Sequence, residues 1–384
     1  MNVLIIGGTG ILSSAVVDEC VNLGYDVTMI NRGRRKLFIN PKVHLIKCDI
    51  RDESLVKQLL GNSHYDCVID FLIYNIDQLK YSLNLLGNIS NQYVFISSTA
   101  VYDTDIPGLL KEDSKKVQKD WNYSKNKFDC EQYLINYCNE NDIKYTIIRP
   151  GVNYGNTRIP YGMYPSIGRH WTIIGRILSG KPIITWNGGA NKHNLTRVED
   201  FARGAVSLLG NSKATNEAFN VVGDGIYTWM EVLTTISDIL KVPLHTIDIP
   251  VQFYAKELSD MEQRDHLIGG RSKNCMTSNE KLKSIAPDFH QFLSLKEGIE
   301  KTINFYKEHD YLGGIDYEYE GNVDRIIEKY QKTIRSQKYR VGFKDYLGAV
   351  GKFKIQHMVQ YYRGRYRDSI LIKAIRKIKK LIKI

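Results

Sequence analysis

The chain has 384 residues, 43% of them hydrophobic and 25% charged, proportions ordinary for a soluble globular protein with a buried core. No run reaches the roughly 18 apolar residues that span a bilayer. Met1–Ile6 is too short for a secretion signal and lacks its positive flank, so the expected location is cytoplasmic. The net charge of +11 is unevenly spread: residues 335–384 hold 15 Lys plus Arg against 2 Asp, which leaves residues 1–334 at −2. A polyanionic partner would have to be met by the end of the chain. The six cysteines show no CxxC spacing, which predicts reduced thiols with neither a disulfide framework nor a structural zinc.

In chain order, Val3–Ile6 is a short apolar run that leads into Gly7-Gly8-Thr9-Gly10, and Ile11–Leu23 reads as a helix. Asp26–Ile30, Val43–Lys47, Cys67–Ile69, Tyr93–Ile96 and Tyr145–Ile148 are further apolar strands, with helical stretches between most of them. Continuous apolar strands alternating with helices predict an α/β fold with a doubly wound parallel sheet, covered on both faces. Beyond Arg149 the pattern loosens. Helices are expected over Arg197–Leu209, Tyr227–Leu240 and Leu295–Tyr306, with part of this stretch returning to extend the sheet. The predicted organisation is a nucleotide-binding domain over 1–150, a smaller substrate-binding portion over 151–314 and a basic, partly helical tail over 315–384.

The turn after the first strand suits a pyrophosphate. Gly7 and Gly10 allow close backbone approach, and the following helix start offers its amides. Ser13 stands where a third glycine is expected for tight helix packing. The second strand ends in Asn31-Arg32-Gly33-Arg34-Arg35-Lys36. No acidic residue is there to bind an adenosine ribose, and the basic side chains favour NADP over NAD.

Tyr123 and Lys127 are four apart and so share one face of a helix. A phenol titrates near ~10, and a neighbouring ammonium stabilises its phenolate. Ser97-Ser98-Thr99, after the fifth strand, offers hydroxyls.

These features resemble the NAD-dependent epimerase/dehydratase family of extended short-chain dehydrogenases/reductases. The resemblance runs from residue 1 to about 310 and includes the glycine turn, Asp49 with Asp52, Ser97-Ser98 with Val101-Tyr102, Tyr123 with Lys127 and Glu131, Arg149-Pro150 and Val198-Glu199-Asp200. It implies a nicotinamide dinucleotide, NAD or NADP, held by Gly7, Gly10, Ile11, Leu12, Arg32, Asp49, Ile50, Phe71 and Lys127. It implies Tyr123 as acid/base, Lys127 as its tuning and ribose-holding partner, and Ser98 as the hydroxyl that bonds the reacting sugar oxygen. Ser98, Thr99, Asn153, Arg169 and His170 are the expected contacts of a nucleotide-sugar. Arg176, Lys192, His193 and Arg197 are further candidates for its diphosphate, and Trp171 and Trp186 are expected in the core. Family members that eliminate water carry an Asp-Glu pair after the strand hydroxyl; here Thr99 and Ala100 stand there, which argues for a simpler redox cycle, as in a 4-epimerase or a 4-ketosugar reductase.

Over Ile370–Ile384 the apolar Leu371, Ala374, Ile375, Ile378, Leu381 and Ile382 gather on one side of a helical projection and six Lys and Arg on the other. Such a helix suits an anionic membrane surface, or else packs on the body of the protein or on a second copy in a homodimer. A non-catalytic or RNA-binding member of the same fold is the alternative reading. The Ser98, Tyr123 and Lys127 set argues against it, so nucleic acid is not the expected partner.

Overall fold

The computed structural model describes residues 1–116, 121–166, 168–336, 338–339, 343 and 355–369. The elements, in chain order, open with β1 (Asn2–Ile6), α1 (Ile11–Asn22), β2 (Asp26–Asn31), β3 (His44–Lys47), α2 (Glu53–Leu60), β4 (Tyr65–Asp70), α3 (Ile76–Leu86), β5 (Ser90–Ile96), α4 (Asn122–Glu140), β6 (Tyr145–Pro150) and β7 (Val152–Tyr154). There follow α5 (Trp171–Leu178), β8 (Ile183–Thr185), β9 (Lys192–Arg197), α6 (Val198–Val206), β10 (Glu217–Val221), β11 (Ile226–Thr228), α7 (Trp229–Leu240) and β12 (Thr246–Asp248). The last elements among the described residues are α8 (Val251–Glu257), α9 (Met261–His266), α10 (Glu280–Ile285), α11 (Leu295–Glu308), α12 (Tyr317–Thr333) and α13 (Ile355–Arg365).

These elements form two compact units, each made of interleaved stretches. Residues 1–155, 192–227 and 273–294 form the first, and residues 156–191, 228–272 and 295–384 the second. The first crossing, after Gly155, lies near the boundary expected at 150, while 192–227 and 273–294 return to the first unit and no break falls at 315. The chain leaves the first unit and comes back to it twice.

In the first unit, seven parallel strands lie in the order β10-β6-β5-β4-β1-β2-β3 among the described residues. The alternation of side chains explains the unbroken apolar runs. Val3 and Ile5 of β1 enter the core formed with α1 and α6, while Leu4 and Ile6 enter the core on the opposite face, with Leu83 of α3 and Leu134 of α4. The returning β10 pairs with β6 from Glu217 against Thr146 to Val221 against Pro150, as the sequence suggests. The order reverses between β1 and β4, which opens a crevice at the carboxyl ends of these strands.

In the second unit, the indoles of Trp186 and Trp229 both donate to the carbonyl of Arg271, at 3.0 and 2.9 Å. Trp171 packs against Tyr311, with centroids 4.8 Å apart, so both expected core tryptophans are buried. The helix α12 belongs to this unit and is not part of a separate tail. It brings Glu320 and Asp324 to Arg176 and Lys181 in a fully buried ion cluster. Arg176 is spent on this cluster, which explains its place in the sequence better than binding of a diphosphate does. Helices α12 and α13 touch backbone to backbone: a Cβ on Gly321 would lie 2.0 Å from the Tyr361 carbonyl oxygen. Residues 370–384, where a basic amphipathic helix is expected, lie outside the described residues.

Candidate active site

The glycine turn sits at the end of β1, at the switch point. Gly7 and Gly8 have φ of +104° and +68°, the left-handed region that favours glycine. At Gly8 a Cβ would stand 2.0 Å from the Met29 Sδ, so a methyl group there would force the buried Met29 side chain to move. Asn31 ties this turn to the end of β2: its Nδ2 donates to the Gly7 carbonyl at 3.1 Å and its Oδ1 accepts from the Gly33 amide at 2.7 Å. Ser13 uses its hydroxyl to accept the Gly10 amide at 2.8 Å. The serine at the third-glycine position thus closes the turn, while Gly10 caps α1 and the first-turn amides of Ile11 and Leu12 have no partner within the helix.

Beside the turn lies a cavity of about 580 Å³, lined among others by Gly7, Arg32, Asp49, Ile50, Asp70 and Tyr81. Its size suits a small-molecule ligand, and its rim is cationic through Arg32, Arg34 and Arg35. Asp49, one of three acidic residues that line the cavity with Asp70 and Asp77, is engaged. The Arg51 side chain donates to both its oxygens, at 3.0 and 2.7 Å, which holds the Asp49 carboxyl well below the usual carboxylate range. Phe71 continues from β4 and packs against the core, with its amide donating to Ile6.

Asp70 forms part of the cavity wall and is fully buried. It accepts the Leu72 amide and the Ser82 hydroxyl, both at 2.7 Å, and Ser82 also bonds the Tyr93 hydroxyl. Burial outweighs these bonds and the nearby Lys127 charge, and pushes Asp70 up to about 6. The folded chain then holds a proton that the unfolded chain releases near ~4. This contribution to stability is complete below about pH 4 and is lost as pH rises through about 6. Asp70→Asn is expected to gain stability on the wild type from about pH 4 to about pH 6, with a constant gap above that. Thermal unfolding of the ligand-free protein across this range checks it.

On α4, Lys127 is buried and points its ammonium at two backbone carbonyls, Ile73 at 2.6 Å and Ile96 at 2.8 Å. Burial lowers its pKa to about 8. The Tyr123 ring lies one turn earlier, with the Lys127 Nζ 5.9 Å from its centroid, and it packs on Trp121. The start of α4 is fixed by Ser124, whose hydroxyl donates to the Ala100 carbonyl at 2.6 Å. The three hydroxyls after β5 are sorted by geometry. Ser97 turns inward and donates to Glu131 at 2.5 Å. Thr99 is buried in a short 3-10 turn. Ser98 caps that turn, accepting from the Ala100 amide at 3.2 Å, and stays half-exposed.

The family model described as the NAD dependent epimerase/dehydratase family matches residues 3–222, from β1 through β10. The chain belongs to this family. Among its relatives, the UDP-glucose 4-epimerase of Lactobacillus helveticus is 27% identical over 283 residues, 65% of this chain and 83% of that protein. The chloroplast stem-loop binding protein of 41 kDa b from Arabidopsis thaliana is 27% identical over 241 residues, 59% of this chain and only 60% of that protein. Among solved structures, the UDP-glucuronic acid 4-epimerase of Bacillus cereus, in complex with UDP-glucuronic acid and NAD, shares the fold, with a TM-score of 0.64 at 19% identity. That match covers 80% of this chain and all of that one.

The family's Glu131, Arg149 and Tyr102 form a buried network here. The Arg149 Nε and Nη2 bind both oxygens of Glu131, at 2.8 and 2.7 Å, and its Nη1 reaches the Tyr102 hydroxyl at 2.8 Å. Tyr102 in turn donates to Asn220 on β10 at 2.7 Å. The family resemblance marks Glu131, Arg149 and Tyr102 as motif members; their link to one another needs the fold, because they come from α4, β6 and the turn after β5. Asp200 is likewise structural in its contacts, accepting the Phe292 amide at 3.2 Å.

The remaining expected residues divide between the units. Asn153, on β7 of the first unit, donates to the Gly151 carbonyl at 2.9 Å, while its buried Oδ1 has no hydrogen-bond partner among the described residues. Arg197 is buried under the Tyr154 ring and paired with Glu199 at 2.9 Å. Lys192 opens β9 exposed and His193 follows it buried. Arg169 and His170 belong to the second unit. His170 is buried beside Tyr164, and burial lowers its pKa to about 3. It is a neutral imidazole at physiological pH, and its buried Nδ1 has no hydrogen-bond partner among the described residues.

Proposed function

We propose that the chain catalyses hydride transfer at a hydroxyl-bearing carbon of a nucleotide-sugar, as a 4-epimerase or a 4-ketosugar reductase. The observation that carries this reading is the fixed placement of Lys127 against Ile73 and Ile96, with the Tyr123 ring beside it on the same face of α4. The left-handed Gly7 in the cavity wall, the cavity itself and the first-turn amides of α1 fit a dinucleotide. NAD(P), when bound, supplies the hydride acceptor or donor. Gly7, Gly10, Ile11, Leu12, Asp49, Ile50 and Phe71 are its proposed contacts with Lys127, and Arg32 favours a 2′-phosphate and hence NADP.

The residues of the chain then do the proton chemistry. Tyr123 takes the proton from the sugar hydroxyl, or gives it to the ketone oxygen in the reverse direction. Lys127, anchored by two carbonyls, keeps one N–H for a ligand hydroxyl, and its charge favours the phenolate. Ser98 donates to the same sugar oxygen, and Asn153 offers the substrate an open Oδ1. Thr99 and Ala100 carry no carboxylate, so the elimination of water has no acid/base pair at these positions.

Because Lys127 loses its charge near pH 8, kcat/KM is expected to fall above about pH 8, one decade per pH unit. A pH–rate profile with a nucleotide-sugar checks this. The proposal itself is tested by assaying a panel of nucleotide-sugars for both epimerised product and net NADPH consumption. Epimerised product without net consumption identifies the epimerase, and stoichiometric consumption identifies the reductase. If neither occurs while the protein binds RNA stem-loops tightly, the reading is wrong.

A further inference from the structure

Helix α13 lies beyond the residues matched by the family. Its inner side is committed. Tyr361 is buried and donates to Asp324 of α12 at 2.6 Å, and a Cβ on Gly364 would stand 2.0 Å from the Glu318 carbonyl oxygen. The outer side is apolar and faces solvent. Ile355 is 71% exposed, Val359 50% and Tyr366 58%, with Met358 and Tyr362 between them. Ile355, Met358, Val359 and Tyr362 recur at helical spacing on one face, and Tyr366, just past the helix end, stacks on Tyr362 to continue the strip. A surface helix ordinarily turns its polar side outward, and a contiguous exposed apolar strip marks an interaction site.

Charge decides what the strip fits. The segment that carries it, residues 335–384, holds 15 Lys plus Arg against 2 Asp, while the rest of the chain is near neutral. Arg363 and Arg365 are paired with Glu318 and Glu328, and ten of the 15 basic residues of this segment lie outside the described residues. An anionic bilayer satisfies both properties at once, with apolar side chains entering the acyl boundary and cations lying among the headgroups. A second copy would bring two positive segments together. RNA would meet the charge but leave Ile355, Met358 and Val359 in water. We propose that the outer face of α13 docks on an anionic membrane surface, with Ile355, Met358, Val359, Tyr362 and Tyr366 inserted.

Flotation of the full chain with vesicles tests this, using phosphatidylcholine alone and phosphatidylcholine mixed with phosphatidylserine. The expected result is flotation with the mixed vesicles only, weakened by salt and reduced about tenfold or more in Met358→Glu/Val359→Glu. Tyr362→Ser/Tyr366→Ser, which adds no charge, is expected to weaken it too, with the size-exclusion profile of the wild type retained. The proposal is overturned if the wild type fails to float, or if both double variants float as well as the wild type. It is equally overturned if light scattering shows a dimer that the variants dissolve, or if the segment binds RNA and no vesicles.

Discussion

Tyr123→Phe is expected to lower turnover by ~10²–10⁴-fold while leaving dinucleotide binding and thermal stability unchanged. The phenolic oxygen is the atom assigned to move the proton, and the ring that carries it stays packed on Trp121 in the variant. The cavity is lined by the β1, β2, β3 and β4 ends and by α3, not by Tyr123, so binding has no reason to change. Lys127→Ala is expected to cost both activity and binding, because the same ammonium anchors the loop after β4 and is the group proposed to hold the ligand and tune the phenol. Single-turnover kinetics with dinucleotide titration separate the two effects. A Tyr123→Phe protein as active as the wild type would remove Tyr123 from the chemistry.

The largest stability effect is expected at Glu131. It accepts two bonds from Arg149 and one from Ser97, and all three side chains are buried. Removing the carboxylate leaves the Arg149 guanidinium desolvated with, among the described residues, Tyr102 and the Glu112 carbonyl as its hydrogen-bond partners. Glu131→Ala is therefore expected to destabilise the protein by ~3–5 kcal/mol. Glu131→Gln keeps the shape and part of the hydrogen bonding and is expected to cost less. Urea unfolding of the purified variants measures both, and a loss below ~1 kcal/mol for Glu131→Ala would show that the network is not holding β6 to α4.

The parallel sheet was legible because strands buried on both faces read as unbroken apolar runs, and because Gly7-Gly8-Thr9-Gly10 follows the first of them. The pair Tyr123 and Lys127 was legible from helical spacing. The role of Ser13 was not, because a hydroxyl that accepts the Gly10 amide looks in the sequence like a missing glycine. Asp70 was also missed: one acidic residue at the end of an apolar strand gives no signal until Ser82 and Leu72 are brought to it by α3 and the loop. Arg176 and His170 look like ligand cations in one dimension. Folding places the first among the carboxylates of α12 and buries the second as a neutral ring. Contacts between residues some 140 positions apart leave no periodicity to read, and this is also why α12 looked like part of a tail.

Tyr123 and Lys127 are proposed to serve hydride transfer on a nucleotide-sugar. The most direct measurement loads the purified protein with dinucleotide, mixes it with nucleotide-hexoses and 4-keto nucleotide-sugars, and follows the near-ultraviolet absorbance of reduced nicotinamide. The predicted result is a change in that absorbance with at least one nucleotide-sugar in the wild type, and none in Tyr123→Phe carrying the same dinucleotide. A wild type that holds dinucleotide yet shows no change with any of them, or a change that persists undiminished in Tyr123→Phe, would contradict it.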